Sequence, residues 1–575
     1  MKKKKIVALL TACMLMTGMF TGCGSSQQAA GSSGAEAGQT QTGDNSLFNE
    51  PGQLPIVNEP VTLTVFAPAN PDGSWEDNEM VKELEETTGI HLEWQTCAAS
   101  DNVQEKLSTM FASGDLPDII LTGVGSSNRY DKATEQALGE QGLILPLNDY
   151  LDTVSVGYKQ ALDEIEGMRD YITTPNGNIY SLPNVDGSLH VQYNMKLWIN
   201  TQWLDNLGLE MPTTTEEFYQ VMKAFKEQDA NGNGNPDDEV PLDFNAYGGN
   251  NAWFNSAYSL TNLLGATGIQ LTNWGQEGYF AEDGKVKCYA VDERYRDFLR
   301  FMSELYKEGL INQKALTSDY STYQSLSRGD EDGNALVGVA FGWEETDKFG
   351  PKLYTQYVPL APLAYDVDCE PGTYDTRWRN DYSGLNMSAN RICMSAKCKN
   401  PEAAMRFIDT FYDEAASVQV LFGGITDGCV EQTGDHSFKV LPPLDADMDP
   451  GTWKWTNAFA GNGPMYIRRS TELEMAQDMT FAVEERKDYD AVLNKMGESD
   501  YYPQMFMKYT DEDQNTMALT QANINNIIDN YWSLWLTGES DIDKDWDTYV
   551  QNVNDAGLPQ ILEIRQAAFE EYLNK

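Results

Sequence analysis

The strongest constraint on the fold is an alternation of strand and helix patterns in the first quarter of the chain. Residues 61–66 alternate apolar residues with threonine, a period-two pattern typical of a strand. Helical patterns at 80–88 and 103–113 each end at a glycine, and strand patterns at 90–94 and 118–122 follow them. This order predicts a parallel sheet with right-handed crossovers, and therefore an α/β protein. In such sheets ligands bind at the carboxyl ends of the strands.

Length and charge restrict the class of function. The 575 residues predict about two to four domains. The 88 acidic and 40 basic residues give a net charge of −48. Nucleic-acid binding and electrostatic docking to anionic lipid both depend on Lys/Arg clusters, so neither is expected. The three histidines are far apart in sequence, which argues against a catalytic zinc site.

The first residues have the anatomy of an export signal. Lys2 to Lys5 precede an apolar run from Ile6 to Phe20, which is shorter than the roughly 20 residues of a membrane span. Small residues and Cys23 follow, an arrangement that resembles the lipobox of bacterial lipoproteins. We therefore expect residues 1–22 to be a signal peptide, Cys23 to carry lipid, and residues 23–57 to form a flexible tether, since that segment begins rich in Ser, Gly, Gln and Ala. The alternative is a secreted protein with an incidental cysteine.

Six cysteines remain once the signal and the lipid site are set aside. They are Cys97, Cys288, Cys369, Cys393, Cys398 and Cys429. An even number in an exported protein allows several alternative disulfide pairings, whereas buried free thiols are equally compatible with a chain of this size.

A series of segments along the chain resembles the extracellular solute-binding proteins of ABC sugar importers. These segments are 112–119, 142–150, 176–183, 203–218 and 400–408. Their order and spacing are similar to those of the large lipoprotein type from Gram-positive bacteria, which is associated with oligosaccharide uptake. The resemblance implies a two-lobe type II fold. Each lobe would be a mostly parallel sheet flanked by helices, with the ligand cleft between the lobes.

The resemblance also implies a division of the chain. Residues 58–184 and 316–385 would form the N-lobe, and residues 185–315 and 386–575 the C-lobe. A ligand that contacts both lobes favours the closed form over the open one. The closed form would then dock on a membrane permease.

One glycine-rich loop has the composition of a cation site. Residues 229–239 place oxygen-bearing side chains at every second position, and hard cations such as Ca²⁺ take six to eight oxygens. The first half is similar to an EF-hand loop, but the twelfth position is Val240 rather than glutamate. The family resembled implies a structural Ca²⁺ held by the side chains of Asp229, Asn231, Asn233, Asp237 and Asp238 and the carbonyl of Asn235. Whether Asp238 or Glu239 gives the bidentate contact stays open, and the alternative is an acidic turn without metal.

Aromatic residues beside polar residues in loops are the candidates for ligand contact. A sugar presents apolar C–H faces and a rim of hydroxyls, so its site needs flat rings and polar hydrogen-bonding side chains. The predicted contacts are Trp75, Glu76, Asn184, Asp186, Trp253, Trp343, Glu344, Trp378, Arg379, Tyr382, Trp453 and Trp455.

The expected function is therefore capture and delivery rather than catalysis. A monomer anchored by lipid to the extracellular face of the cytoplasmic membrane of a Gram-positive-type cell would bind an oligosaccharide and pass it to the permease subunits of an ABC transporter. One alternative is a secreted glycan-active enzyme, which needs only two carboxylates at a fixed separation. Another is a ligand-sensing lipoprotein on the same fold, since fold alone does not decide function. A peptide ligand is a third alternative.

Overall fold

The computed structural model describes residues 47–574 with gaps. The gaps are 69–73, 98–102, 122–131, 188–195, 247–257, 272–277, 343–344, 379–385, 446–447, 449, 460–462, 475–488, 490–491, 493–499 and 504–505. The expected signal peptide, Cys23 and most of the expected tether lie outside the described residues.

The described strands belong to four sheets. In chain order they are β1 Val61–Pro68, β2 Ile90–Cys97, β3 Ile119–Leu121, β4 Ser181–Asp186, β5 Lys196–Asn200, β6 Val240–Asp243, β7 Tyr279–Glu282, β8 Lys285–Cys288, β9 Val337–Gly342, β10 Tyr357–Leu360, β11 Asn386–Met394, β12 Val430–Gly434, β13 Ser437–Val440, β14 Met465–Ile467 and β15 Glu472–Glu474. The short strands β12, β13 and β15 form one small sheet, and β7 with β8 forms another.

Helices of very different length cover these sheets. They are α1 Glu79–Thr88, α2 Val103–Ser113, α3 Lys132–Glu140, α4 Asn148–Thr153, α5 Gly157–Glu164, α6 Met168–Ile172, α7 Thr201–Leu207, α8 Thr215–Glu227, α9 Glu293–Lys307, α10 Tyr320–Ser327, α11 Glu345–Leu353, α12 Pro401–Thr410, α13 Glu414–Phe422, α14 Pro450–Asn457, α15 Asp511–Thr537, α16 Ile542–Asp555 and α17 Leu558–Leu573. Short 3-10 helices occupy Leu260–Thr267, Tyr289–Val291 and Tyr354–Gln356. No helix of the described segments combines the length and apolar character that a membrane crossing requires.

The first sheet contains the predicted parallel unit. Its order is β14-β4-β11-β3-β1-β2, and β1 pairs in parallel with both β2 and β3. The parallel arrangement predicted for the first three strands is thus confirmed. β11 runs antiparallel to β3 and β4, so the sheet as a whole is mixed. Leu63 and Val65 enter a core on one face of this sheet, and Phe66 enters a core on the other.

The second sheet departs from the expected geometry. Its order is β10-β5-β9-β6, and only β6 and β9 run parallel. The expectation of a mostly parallel sheet in each lobe is therefore wrong here.

Helix α8 shows how local sequence fixes one element of the second core. The Thr214 side chain accepts a hydrogen bond from Glu217 N at 3.2 Å, which caps the helix as its sequence predicts. The Glu217 carboxylate accepts from Thr213 N at 2.8 Å. The apolar stripe of this helix, Phe218, Val221, Met222 and Phe225, is buried in the second core.

The two large cores divide the chain differently from the expected lobes. The core around the second sheet takes residues from 197–378 and 489–569. The core around the first sheet takes residues from 56–185 and 387–467. The structure thus places residues 316–378 with the second sheet and residues 387–467 with the first, the reverse of the expected division. We call these bodies the first lobe and the second lobe.

The chain passes between the lobes at three places. It leaves the first lobe after Asp186, returns to it between Trp378 and Met387, and leaves again between Leu473 and Tyr489. The first two crossings are close to those implied by the expected boundaries at 184/185 and 385/386. The third has no counterpart in the sequence analysis. Within the described part of the chain no disulfide joins the six cysteines.

Candidate ligand cleft

The ends of strands from both sheets flank the segment in which the chain first crosses between the lobes. β4 ends at Asp186 in the first sheet, and β5 begins at Lys196 in the second. Asp186 is level with Asn386, the first residue of β11, and with Ile467, the last residue of β14. Lys196 is level with Gly342, the last residue of β9. We call these two rows of strand ends the cleft edges.

The carboxyl ends of β1, β2 and β3 point to the cleft edge of the first sheet. This follows because β3 and β4 are both antiparallel to β11, and β1 and β2 run parallel to β3. It is the position at which an open α/β sheet binds ligands. The loops that continue these strands, 69–73, 98–102 and 122–131, lie outside the described residues.

Charged side chains are buried at the cleft edges and on the elements next to them. Asp186 is 3% exposed, Lys196 2%, Asp243 1%, Glu345 2% and Lys348 1%. Burial of a charge costs free energy unless the charge is paired or hydrogen-bonded. Buried charged groups are frequent at binding sites, which makes this region the candidate site.

Asp243 has one satisfied and one unsatisfied carboxylate oxygen. Its Oδ1 accepts hydrogen bonds from Phe244 N at 3.0 Å and from Asn312 Nδ2 at 2.8 Å. Its Oδ2 is buried and has no donor among the described residues. Burial raises the pKa of this carboxyl to about 6, while Asn312 and the Lys348 ammonium act in the opposite direction.

Aromatic rings lie beside this carboxylate. The Tyr258 ring centroid is 5.3 Å from that of Tyr320 and 5.6 Å from that of Tyr323. The Lys348 ammonium lies 3.0 Å from the Tyr323 ring centroid, and Tyr320 is 37% exposed. These tyrosines are not among the contact residues predicted from the sequence, most of which are tryptophans or charged residues. The spacing of Tyr320 and Tyr323 on one helix face was the available signal.

Two of the predicted contact residues in the first lobe belong to the cleft edge, and a third does not. Asn184 and Asp186 are 5% and 3% exposed on β4. Trp75 is 2% exposed, and its Nε1 donates to Pro68 O at 2.9 Å. Its ring packs 5.6 Å from Trp94 and 5.1 Å from Phe459 within the first core.

The remaining predicted contacts are dispersed. Glu76 is exposed beside Trp75. Trp378 is 2% exposed, and its ring centroid lies 5.4 Å from that of Tyr489 in the second core. Trp453 and Trp455 are on α14, where Trp453 is half-buried against the first core. Five predicted contacts lie outside the described residues: Trp253, Trp343, Glu344, Arg379 and Tyr382.

The predicted cation loop is closed by hydrogen bonds that converge on one acid. The side-chain amides of Asn231, Asn233 and Asn235 donate to the Asp238 carboxylate at 2.8–3.1 Å. Gly232 and Gly234 have φ values of 74° and 89°, which only glycine adopts readily. The loop is also tied to the strand that precedes the cleft, because Asn231 Nδ2 donates to the carbonyl of residue 335 at 3.3 Å.

Two buried carboxylate oxygens of this loop lack a donor. Asp229 Oδ2 accepts from Gly234 N at 2.9 Å, whereas Asp229 Oδ1 has no partner among the described residues. Glu239 is 3% exposed, its Oε2 is likewise without a partner there, and burial raises the pKa of this carboxyl. Among the described residues no cluster of three His, Cys, Asp or Glu side chains is placed to hold a metal. A cation here would therefore also need asparagine or backbone oxygens.

A separate groove lies on the first lobe. It has a volume of about 400 Å³ between α1, the start of α5 and the α12–α13 connection. Leu54 and Val156, which are 58% and 50% exposed, stand at its rim. No residue of the cleft edges lines it, and we call it the outer groove.

The fold and the cleft edges define a two-lobe solute-binding protein. The sequence profile described as bacterial extracellular solute-binding protein matches residues 68–418, more than half of the chain. The chain belongs to this family. The expected family and the expected type II fold are confirmed.

Related proteins and solved structures are similar to this chain over nearly its whole length. The fructooligosaccharide ABC transporter substrate-binding protein FusA from Streptococcus pneumoniae serotype 4 is 28% identical over 569 residues, 94% of this chain and 95% of FusA. An HMO-binding, ABC-transporter-associated solute-binding protein from Bifidobacterium longum infantis has a TM-score of 0.75 at 26% identity, covering 90% of this chain and 99% of that one. FusA in complex with kestose has a TM-score of 0.73 at 27% identity, covering 89% and 100%. An EF-hand mutant of FusA in complex with fructo-nystose matches equally well.

The packing of Trp75 predicts a structural effect. Trp75→Ala should lower the free energy of unfolding by about 3–5 kcal/mol, because it removes a buried ring and leaves a cavity. Thermal or urea unfolding measures this loss. Glu76→Ala, a change at an exposed neighbour, should stay within about 0.5 kcal/mol. A Trp75→Ala protein of unchanged stability that no longer bound ligand would show instead that the ring is a ligand platform.

Proposed function

We propose that this chain captures a carbohydrate, in particular an oligosaccharide, in the cleft between its two lobes and delivers it to the permease of an ABC transporter. The observation that carries this proposal is the convergence of buried polar and charged side chains on the cleft edges of both sheets. It is supported by the full-length similarity to FusA, a fructooligosaccharide transport protein. The proposed role is binding without catalysis.

Recognition at this cleft uses two kinds of group. Carboxylates such as Asp186 and Asp243 accept hydrogen bonds from ligand hydroxyls, and the ammonium of Lys196 donates. Tyrosine faces such as that of Tyr320 pack on the apolar C–H faces of sugar rings. A ligand that touches groups from both lobes stabilises the closed arrangement more than the open one, so closure follows from differential affinity.

The proposed location is the extracellular face of the membrane. Lipid on Cys23 would anchor the protein, and residues 23–57 would give it reach. The anchored receptor would work as a monomer, meeting the permease in its closed form. The extracellular family description and the export-signal pattern of the first 22 residues support this placement.

We further propose a structural Ca²⁺ in the loop 229–239. The unsatisfied buried oxygens of Asp229 and Glu239 fit a hard cation, since an acceptor without a donor is stabilised by positive charge. Glu239 would then supply the closing contact, with Asp238 and the asparagine oxygens completing the set. The bound ion would fix the connection from α8 to β6. It would not act on the ligand.

Glycan binding should raise the melting temperature of the protein. The protein without its first 46 residues should melt at a higher temperature in the presence of one class of oligosaccharide. Because the ligand binds only the folded state, it should raise the free energy of unfolding by about 2.7 kcal/mol at a ligand concentration 100 times Kd. Differential scanning fluorimetry across an oligosaccharide panel measures the shift, and chromatography of the glycan afterwards should show no product. A shift with peptides alone, or consumption of the glycan, would overturn the proposal.

The proposed Ca²⁺ should stabilise the folded protein independently of the glycan. EDTA should lower the melting temperature of the wild-type protein, and added Ca²⁺ should restore it, because the ion binds only the folded loop. Glu239→Gln should weaken Ca²⁺ binding by at least about tenfold, since it removes one charged ligand. Glu227→Gln, an exposed change at the end of α8, is the matched control and should behave as wild type. An EDTA-insensitive wild-type protein would contradict the calcium site.

A further inference from the structure

The first crossing and the approach to the third begin side by side in the first lobe. Gly187, the first residue after β4, donates from its backbone N to the carbonyl of Ile467, the last residue of β14, at 2.9 Å. The chain turns after Ile467, and β15 then leads to the third crossing beyond Leu473. Residues 468–474 therefore connect the cleft edge to the third crossing, and we call them the exit segment.

One buried carboxylate binds the exit segment at two points. Glu414 is the first residue of α13 and is 6% exposed. Its Oε1 accepts a hydrogen bond from Thr471 Oγ1 at 2.6 Å, and its Oε2 accepts one from Arg468 Nη1 at 2.7 Å. The same Oε2 lies 2.6 Å from Nδ1 of His436, in the turn before β13. We call these four residues the Glu414 network.

Arg468 extends this network to helix α5. Its Nη2 donates to Gln160 Oε1, and its Nε lies 3.8 Å from Glu164 Oε2. The Tyr466 hydroxyl donates to the same Glu164 oxygen at 2.6 Å. A planar guanidinium can serve several partners at once, which an ammonium on a flexible stem does less well. The start of the exit segment is therefore fixed to both α5 and α13.

The Glu414 carboxylate carries its charge in the folded protein. Burial acts to raise its pKa, but hydrogen bonds from Thr471 and His436 and the charge of Arg468 outweigh burial and lower that pKa. Hydrogen bonds to an ionised group are stronger than those between neutral groups. Removal of this charge should therefore weaken every contact in the network at once.

Little else attaches the exit segment to the body of the first lobe. Leu473 is its only apolar residue and is partly buried against the first core. Its strand, β15, pairs in parallel with β13, the strand that follows His436. Hydrophobic burial contributes in proportion to the apolar area removed from water, so one partly buried leucine contributes little. The polar contacts of the Glu414 network therefore determine how firmly this segment is held.

We infer that Glu414 is a positioning residue for lobe closure, because it holds the exit segment, and with it the approach to the third crossing, in one place on the first lobe. This inference rests on the proposed function, of which closure on the ligand is a part. A segment that is already ordered loses no conformational entropy when the lobes close, and such preorganisation raises affinity. Glu414 thus acts on binding through Arg468 and Thr471, without contact to the ligand.

The test combines hydrogen exchange of the ligand-free protein with calorimetric titration. Glu414→Gln keeps the shape of the side chain and removes its charge. It should speed amide exchange in peptides that cover residues 466–474 and leave exchange in β1 and β3 unchanged. Titration uses a panel of fructo-, xylo-, malto- and galacto-oligosaccharides. The panel member that the wild-type protein binds most tightly should bind Glu414→Gln about tenfold more weakly, the factor that ordering one further residue represents.

Three further variants make the test specific. Glu86→Gln, the same change at an exposed site on α1, is the matched control and should exchange and bind as wild type. Arg468→Gln should reproduce the effects of Glu414→Gln, and the double variant should be little worse than either, because both changes break one contact. Thr471→Val, which removes only a hydroxyl, replaces Glu414→Gln in the comparison if that variant does not fold.

The remaining outcomes separate this inference from the proposed function. Unchanged exchange of residues 466–474 in Glu414→Gln would overturn the role of the network in holding the exit segment. Faster exchange throughout the first lobe with unchanged affinity would show a purely structural role and overturn the role in closure. Failure of the wild-type protein to bind any panel member or other glycan would overturn the proposed function, and the role in closure with it.

Discussion

The structure depends on one constraint: the chain crosses between its two lobes three times. The first crossing joins the end of β4 at Asp186 to the start of β5 at Lys196, and both residues lie on cleft edges. The carboxyl ends of the parallel strands β1 to β3 face the same edge. Strand ends, crossing segments and buried charges are thus brought together by a single feature of the topology. The proposed ligand would contact both lobes there, and contacts to both lobes favour the closed arrangement.

In the second lobe one short strand joins the cation loop to Asp243. β6 has only four residues, with the cation loop at its start and Asp243 at its end. The loop donates to the carbonyl of residue 335, and Val240 at the start of β6 donates to that of residue 336, just before β9 begins. Two strands of the second sheet, β6 and β9, are therefore joined near their first residues by bonds from the loop and from Val240. Calcium in the loop would hold the cleft edge in place from a distance, without contacting the ligand.

Sequence reasoning succeeded where local patterns decide the structure and failed where distant pairing does. The period-two and helical patterns of the first unit predicted its parallel strands, and the cap at Thr214 and the apolar stripe of α8 are likewise fixed by local sequence. The assignment of residues 316–385 failed because β9 and β10 take their place by pairing with β5, which no local pattern encodes. Trp75 was expected in the cleft because tryptophan suits sugar binding, yet its position in the first core depends on tertiary packing against Trp94 and Phe459.

The central claim, that the cleft between the lobes is the ligand site, is tested most directly by hydrogen exchange with mass spectrometry at saturating glycan. The account predicts slower exchange at the cleft edges, in peptides that contain the end of β4, the end of β6 and the end of β9, together with the crossing segments. Exchange in the outer groove around Leu54 and Val156 should not change. Protection confined to the outer groove, with the cleft edges exchanging as in the free protein, would contradict it.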